Sequence, residues 1–517
     1  MKKLVLALTV VCAMIAGFAS MAAAEVTVGG SAEIRYDLWK NINLNTGASD
    51  FQSTNFFDER VMVNVDAKVT QGLEGFVEFD TDNYNWGQQN GNIPTYLNHE
   101  AGAVIGTQQT ANWDAINVRQ AWINAMVPGI PVGVKIGHQP LALGHGIWLD
   151  TSRYGSDAIL AYAKPMPALL VAGAYVQMSQ NPNNLNSGAL DRISTNISGS
   201  TDALDLALNT DKVHSGAHAY AALANYTWMP NNTVGVNFTY VRDHSSLDNA
   251  FVTSPPSGGT GHRIWATNVG IPVDGTIGMV TYKGEFDWLY TNTKNIFGAT
   301  GTESYTESGF AAMLGANANV MKMANVGIEA AYGTGNSAQD PQIFYNPGGA
   351  APGGTKHMDH AYYTPYNSTG YNYAFLYNDK IGQGPLGTGG GFGYGDGYGG
   401  FGLANTGYIK VSGSVTPTDR LKAGLDFLYL RASEAALPGQ SRDLGWELDG
   451  HADYKLYDNL TLNLTGGVFD PGAWYSYKGH AAVPVADAAI LTDPSNLSSP
   501  IKRNVAWGME TKLTMKF

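Results

Sequence analysis

The strongest constraint in this chain is the alternation of its last thirteen residues. Val505, Trp507, Met509, Leu513, Met515 and Phe517 are apolar, Gly508, Glu510, Lys512, Thr514 and Lys516 are small or polar, and only Thr511 breaks the pattern. Successive side chains of a strand point to opposite faces, so this segment has one apolar and one hydrated face. A strand with a lipid-type face needs partners on both edges, because hydrocarbon offers nothing to an unpaired N–H or C=O. The segment predicts a sheet closed on itself, with its last strand paired to its first.

The same alternation recurs along the chain. Between Val26 and Trp39, the apolar Val26, Val28, Ile34, Tyr36 and Leu38 oppose Glu33, Arg35 and Asp37. Between Arg60 and Val69, three valines at 61, 63 and 65 oppose Arg60, Asn64, Asp66 and Lys68, and Leu73–Asp80 follows the same rule. Short connections rich in Pro, Gly and Asn fall at 70–72, 127–131, 165–167, 229–232, 271–275, 319–323, 416–419 and 456–459. Long polar connections cover 40–57, 83–113, 139–157, 180–214, 243–261, 291–304, 334–404, 432–442 and 470–502. Eight turns and nine loops predict an all-β, antiparallel transmembrane barrel of about eighteen strands, with both ends on the side of the short turns. Trp39, Trp122, Trp228, Trp288, Tyr290, Tyr332, Tyr429 and Tyr454 lie near strand ends and are expected to form the interfacial girdle.

Composition agrees. No stretch after residue 24 approaches the length of a spanning helix. The 63 glycines, 11% aromatics and only 14% charged residues fit one large barrel better than several soluble domains. Lys2 and Lys3 precede an apolar run, and Ala22–Ala24 form an A-x-A site, so residues 1–24 read as a signal peptide and 25–517 as a single barrel domain. Removing that leader also removes Cys12, the only cysteine, which excludes disulfides, thiolate metal sites and C-x-x-C-H haem attachment. A formal net charge of −13 argues against a nucleic-acid partner. The aromatic last residue resembles the C-terminal signature of bacterial outer-membrane β-barrels. That resemblance implies that Phe517 is part of a signal read by the outer-membrane assembly machinery, and that the folded chain contacts Gram-negative outer-membrane lipid and lipopolysaccharide.

The hydrated faces carry the candidate functional side chains. Arg35, Arg60, Lys68, Glu78, Arg119, Lys135, Glu447 and Asp449 are expected to line the lumen, where wall charge sets ion preference. Acidic side chains outnumber basic ones on these faces, and the basic ones concentrate in the first five strands. The alternative is that these groups pair across neighbouring strands and fill the interior. The loop Gln139–Asp157, with Gly144, Gly146 and Gly155 for tight bends, is the expected constriction and brings His145, Asp150 and Arg153 to it.

The segments Val118–Asn124 and Val134–Trp148 resemble the alginate-export group of outer-membrane porins, in which a strand led by arginine or glutamine precedes a Gly-Arg-Gln motif and a glycine-rich loop. Trp86-Gly87, Leu444–Asp449 and Phe469–Gly472 are also similar to that group. His138 stands where the group's motif has arginine. The resemblance implies a monomeric eighteen-stranded channel with loops folded inward.

Other motifs carry little chemistry. Gly395–Gly400 spells G-x-G-x-x-G with neither a leading strand nor a following helix, so it is no dinucleotide fingerprint. His357 and His360 fit a polar loop better than a metal site. No metal site, cofactor or catalytic centre is expected, and the chain is not read as an enzyme. The expectation is a porin passing small hydrophilic solutes or ions by passive diffusion. Two rivals are the barrel sheath of a porin–cytochrome electron conduit, with a periplasmic or surface cytochrome as partner, and a surface adhesin working through the 334–404 loop.

Overall fold

A computed structural model of the chain describes residues 25–42, 53–81, 84–86, 116–152, 155–179, 217–243, 262–295, 304–335, 358–359, 362, 371–378, 381, 403–435, 441–476 and 504–517. The expected signal peptide, Arg153, His357, His360 and Gly395–Gly400 lie outside them. Eighteen strands form the wall. They are β1 Glu25–Lys40, β2 Ser53–Thr70, β3 Leu73–Asp80, β4 Asn117–Met126, β5 Val132–Gln139 and β6 Ser156–Met166. Next come β7 Leu169–Ser179, β8 Ala217–Met229, β9 Asn232–Asp243, β10 His262–Ile277, β11 Val280–Asn295 and β12 Ser304–Met321. The circuit ends with β13 Ala324–Gly333, β14 Thr406–Thr418, β15 Leu421–Ala432, β16 Asp443–Tyr457, β17 Leu460–Pro471 and β18 Ala506–Lys516. Two further two-residue strands, Tyr84–Asn85 and Met358–Asp359, add to β2 and β12 near the long loops.

Each wall strand pairs antiparallel with its neighbours, and β1 pairs with both β2 and β18. The sheet has no free edge. The seam runs from Ser31 opposite Lys516 to Lys40 opposite Trp507. Phe517 extends it: its N–H donates to the Gly30 carbonyl at 3.1 Å, and the Gly30 N–H donates back to the Phe517 carbonyl at 2.9 Å. Closure is what lets a sheet stand in hydrocarbon, since each unpaired backbone group there costs several kcal/mol.

The alternation reads directly as inside and outside. On β1, Ile34 is 39% exposed on the outer face, while Asp37 is 1% exposed within. Ile123, Ile136, Ile159, Leu314 and Ile409 likewise point outward. Among the described residues no helix is long and apolar enough to cross a membrane. The outward aromatics include Trp228 and Tyr454 toward the short turns, and Trp288, Tyr290, Tyr332 and Tyr429 toward the long loops.

Three details depart from the sequence reading. Trp39 and Trp122 do not join the girdle. Trp39 is buried on the inner face against Phe375 at 5.5 Å between ring centroids, and Trp122 stacks on Phe76 at 5.2 Å beside inward-facing Gln120. Their parity with Asp37 and Gln120 decided this, whereas nearness to a strand end did not. The turn expected at 271–275 is strand: β10 runs to Ile277 and turns at Gly278–Met279. Pro272 is tolerated because the β9 ladder skips Ile271 and Pro272, so no N–H is missed there. Strand β2 begins at Ser53, inside the expected 40–57 loop, and this brings Asp58 into the wall.

Closure predicts a heat-modifiable protein: unboiled chain in detergent should migrate differently from boiled chain on a gel, with β-type circular dichroism. Equal migration with a helical spectrum would contradict the fold. Phe517→Ser keeps the backbone pair to Gly30 but removes the ring that lies over that glycine. The expected outcome is less heat-modifiable protein in the outer membrane at equal synthesis, measured by the folded band in membrane fractions.

Candidate functional site: an interior crossed by two loops

The inner wall of the first strands carries arginines, each held by a carboxylate of a neighbouring strand. Arg35 donates from Nε to both Asp58 oxygens at 3.1 Å and also reaches Asp37 at 3.2 Å and Glu510 at 3.6 Å. Arg60 donates from Nε to Asp80 Oδ1 at 2.9 Å, and Arg119 ion-pairs with Glu78. Paired arginines and carboxylates share hydrogen bonds of fixed geometry, so this wall is locally neutralised. Asp58 was missed in the sequence because it fell between the loop read at 40–57 and the strand read from Arg60. Lys68 is exposed close to the Gln71–Gly72 turn, opposite Glu25 and Glu74, and so lies apart from the arginines. Lys135 sits with its ammonium 3.6 Å from the Trp122 ring centroid, a cation–π contact.

The loop between β5 and β6 folds inward. Ala142 bridges Asp150, Leu143 N–H donates to the Leu149 carbonyl at 3.0 Å, and Thr151 N–H donates to the Leu141 carbonyl at 2.7 Å. These bonds make a narrow arch whose tip is Gly144–Gly146. Ile147 and Trp148 are 0% and 2% exposed, so the arch is packed within the barrel. Its root is tied by Arg119, whose Nη2 donates to the Ser152 carbonyl at 2.7 Å, and by Asp150, which accepts from Ser152 N–H at 2.8 Å. At its tip the His145 N–H donates to Glu285 on β11 at 2.5 Å. Gly144 has φ of +55° and faces the Glu285 carboxylate so closely that a Cβ has no room, so glycine is required twice over. The arch thus runs from β5–β6 to a strand on another part of the wall.

A second inward segment, Tyr371–Asn378, comes from the 334–404 loop and was not foreseen. Leu376 and Tyr377 N–H groups donate to Glu447 at 2.6 and 2.8 Å, and Phe375 N–H donates to Asp449 at 3.1 Å. On the other flank, Tyr373 stacks on Tyr408 at 4.4 Å, and Tyr371 and Tyr408 share a hydroxyl contact of 2.7 Å. Tyr408 donates to Glu329 at 2.6 Å, which also holds Lys283 at 2.7 Å and Lys410 at 3.4 Å. Trp148 of the arch meets Tyr362 edge-on at 6.4 Å, linking the two loops. Burial pushes the phenols of Tyr362, Tyr373 and Tyr475 well above their ordinary value, so this aromatic packing stays uncharged at neutral pH.

Of the expected residues, the structure brings Glu78 and Arg119 to the root of the arch, His145 to its tip, and Glu447 and Asp449 to the second segment. Glu285, which anchors the tip, and its neighbour Asp287 carry a signal that sequence reasoning could have used. Glu285-Phe286-Asp287 and Glu447-Leu448-Asp449 are the same E-x-D pattern, two carboxylates on one inward face without a basic residue between them.

No protein-family profile matches the sequence, and no curated protein is similar to it by sequence. Solved structures are similar in fold. OccAB2 of Acinetobacter baumannii superposes with a TM-score of 0.51 at 11% identity, over 95% of this chain and 98% of that one. A BenF-like porin from Pseudomonas fluorescens gives 0.48 at 9% identity over 95% and 99%, and OpdK of Pseudomonas aeruginosa gives 0.46 at 9% over 95% and 98%. The fold is that of the outer-membrane porins: a closed, antiparallel eighteen-stranded barrel.

A hydrogen bond is worth about 0.5–1.5 kcal/mol net, and an unmet buried N–H costs more, so the three accepted by Glu447 and Asp449 hold the second segment. Replacing both with alanine should release it and raise single-channel conductance, while the unboiled gel band stays folded. Unchanged conductance would show that the Tyr408 and Lys410 flank suffices.

Proposed function

We propose that the chain is an outer-membrane porin passing small hydrophilic solutes and ions by passive diffusion, through a lumen narrowed by the 141–151 arch and the 371–378 segment. The observation that carries this reading is a closed barrel with a charged inner face, crossed by loops that wall carboxylates hold in place. Such a protein needs no turnover. Loops set the size limit, and wall groups partly replace the hydration of the passing solute. Arg119 and Glu78 stand at the root of the arch, Asp150 and His145 lie within it, Glu447 and Asp449 hold the 371–378 segment, and Arg35 and Arg60 belong to the inner wall.

Because Arg35, Arg60 and Arg119 each share a carboxylate, the basic side of the wall is largely cancelled, and the acidic excess sets the sign. The alginate-export resemblance remains a likeness of short motifs. Its arginine position is His138, which bonds Asp157 at 2.8 Å, so a polyuronate cargo has little to grip there. An insulating sheath around a cytochrome needs an interior clear of loops, and two packed crossings speak against it.

The expected outcome is a modest cation preference in the reversal potential across a potassium chloride gradient, stronger at low salt, since screening acts over about 8 Å at physiological ionic strength. Clear anion selectivity at low salt would overturn this sign and put the arginines in control.

A further inference from the structure

The two E-x-D pairs are not alike. Three backbone N–H groups satisfy the 447–449 pair, leaving only Asp449 Oδ1 without a hydrogen bond. The 285–287 pair is poorly satisfied. Glu285 Oε2 takes the His145 N–H and Asp287 Oδ1 takes the Asn268 amide at 2.7 Å, but Glu285 Oε1 and Asp287 Oδ2 have no donor. The two carboxyl groups lie within hydrogen-bond reach of each other. Asp287 is fully buried and Glu285 is 4% exposed.

The surroundings supply neutral amide and hydroxyl groups. Asn237 and Thr239 on β9 and Asn268 on β10 face the same interior, are 3%, 1% and 0% exposed, and keep both amide atoms of Asn237, Thr239 Oγ1 and Asn268 Oδ1 unbonded. Gly270 sits between Asn237 and Asp287 in the ladder. Its missing Cβ leaves a cradle: a point there lies 2.5 Å from Asn237 Oδ1, 2.6 Å from Asn237 Nδ2 and 2.7 Å from Asp287 Oδ1, so a turn of the Asn237 amide presents its oxygen to that space. Nearby charges do not compensate. Asp274 adds a third carboxylate whose partner is His145 Nε2 at 3.6 Å, and Lys283 is engaged with Glu329. Among the described residues no three His, Cys, Asp or Glu side chains form a metal cluster, so a donor set here has to include amide and hydroxyl oxygens.

We propose that Glu285 and Asp287, with Asn237, Asn268 and Thr239, form a binding site for a hard divalent cation of the calcium class, which fastens the tip of the arch to the wall. Calcium takes six to eight oxygens at about 2.3–2.6 Å and accepts mixed carboxylate, amide and hydroxyl donors, whereas magnesium keeps several of its waters and suits a buried set less well. With two carboxylates the affinity falls in the weak range, about 10⁻⁴–10⁻³ M. This goes beyond passive diffusion, since the ion is a structural occupant and not the cargo.

The test uses terbium, a luminescent calcium substitute, on the purified full-length barrel in detergent after chelation. Tyr362, close enough to Asp287 and Glu285 to feel their charge, is the sensitiser, with Trp148 edge-on to it at 6.4 Å. Saturable luminescence that calcium displaces is expected, with at least a tenfold loss in Glu285→Gln and Asp287→Asn, and a weaker loss in Asn237→Ala. Each variant is first checked for a folded, heat-modifiable band, and Asp453→Asn, elsewhere on the acidic wall, is expected to keep the signal. Absence of saturable luminescence, or equal luminescence in the folded 285 and 287 variants, would overturn the site and leave the two carboxyls sharing a proton. Equal loss in Asp453→Asn would overturn it too, as diffuse wall charge.

Discussion

Everything in this molecule depends on pairing the backbone of β1 with that of β18. Until that seam forms, two strands expose a row of N–H and C=O groups, and hydrocarbon makes each costly. Once it forms, the outer face is free to be apolar and the inner face to be charged, because neither has to satisfy backbone. The reciprocal bonds between Gly30 and Phe517 extend the seam to the last residue of the strand.

Closure also creates the problem that the interior solves. A barrel of eighteen strands is too wide for its own side chains to fill. Here the space is taken by backbone carried inward on two loops, and that backbone arrives with N–H groups to satisfy. Wall carboxylates accept them: Glu285 receives the tip of the arch, and Glu447 and Asp449 receive the 371–378 segment. The acidic residues of β11 and β16 therefore serve as fasteners as well as sources of field. The arginines of β1, β2 and β4 have a different task, since each is committed to a carboxylate on a neighbouring strand.

The contrast between the two acidic pairs follows from what each loop delivers. The 371–378 segment presents three successive N–H groups, enough for two carboxylates. The arch presents one, from His145, and leaves Glu285 Oε1 and Asp287 Oδ2 without a donor. The same sequence pattern thus meets two electrostatic environments.

By itself the sequence determined the closed antiparallel barrel, a strand number of about eighteen and the inner and outer faces of the strands that alternate cleanly, though not around 115–126 and 217–228, because strand periodicity is local and lipid allows only one closed solution. Seven of the eight short turns were legible for the same reason. Pro272 misled at the eighth, since whether a proline ends a strand depends on whether its neighbour needs the missing N–H. The parity of Trp39 and Trp122 with Asp37 and Gln120 already pointed both inward, whereas tertiary structure alone decided that Asp58 belongs to the wall and that Tyr371–Asn378 lies within the lumen. It also decided which carboxylates find donors. These outcomes depend on contacts between residues far apart in the chain, such as His145 with Glu285 and Leu376 with Glu447, and no local pattern encodes which loop reaches which strand.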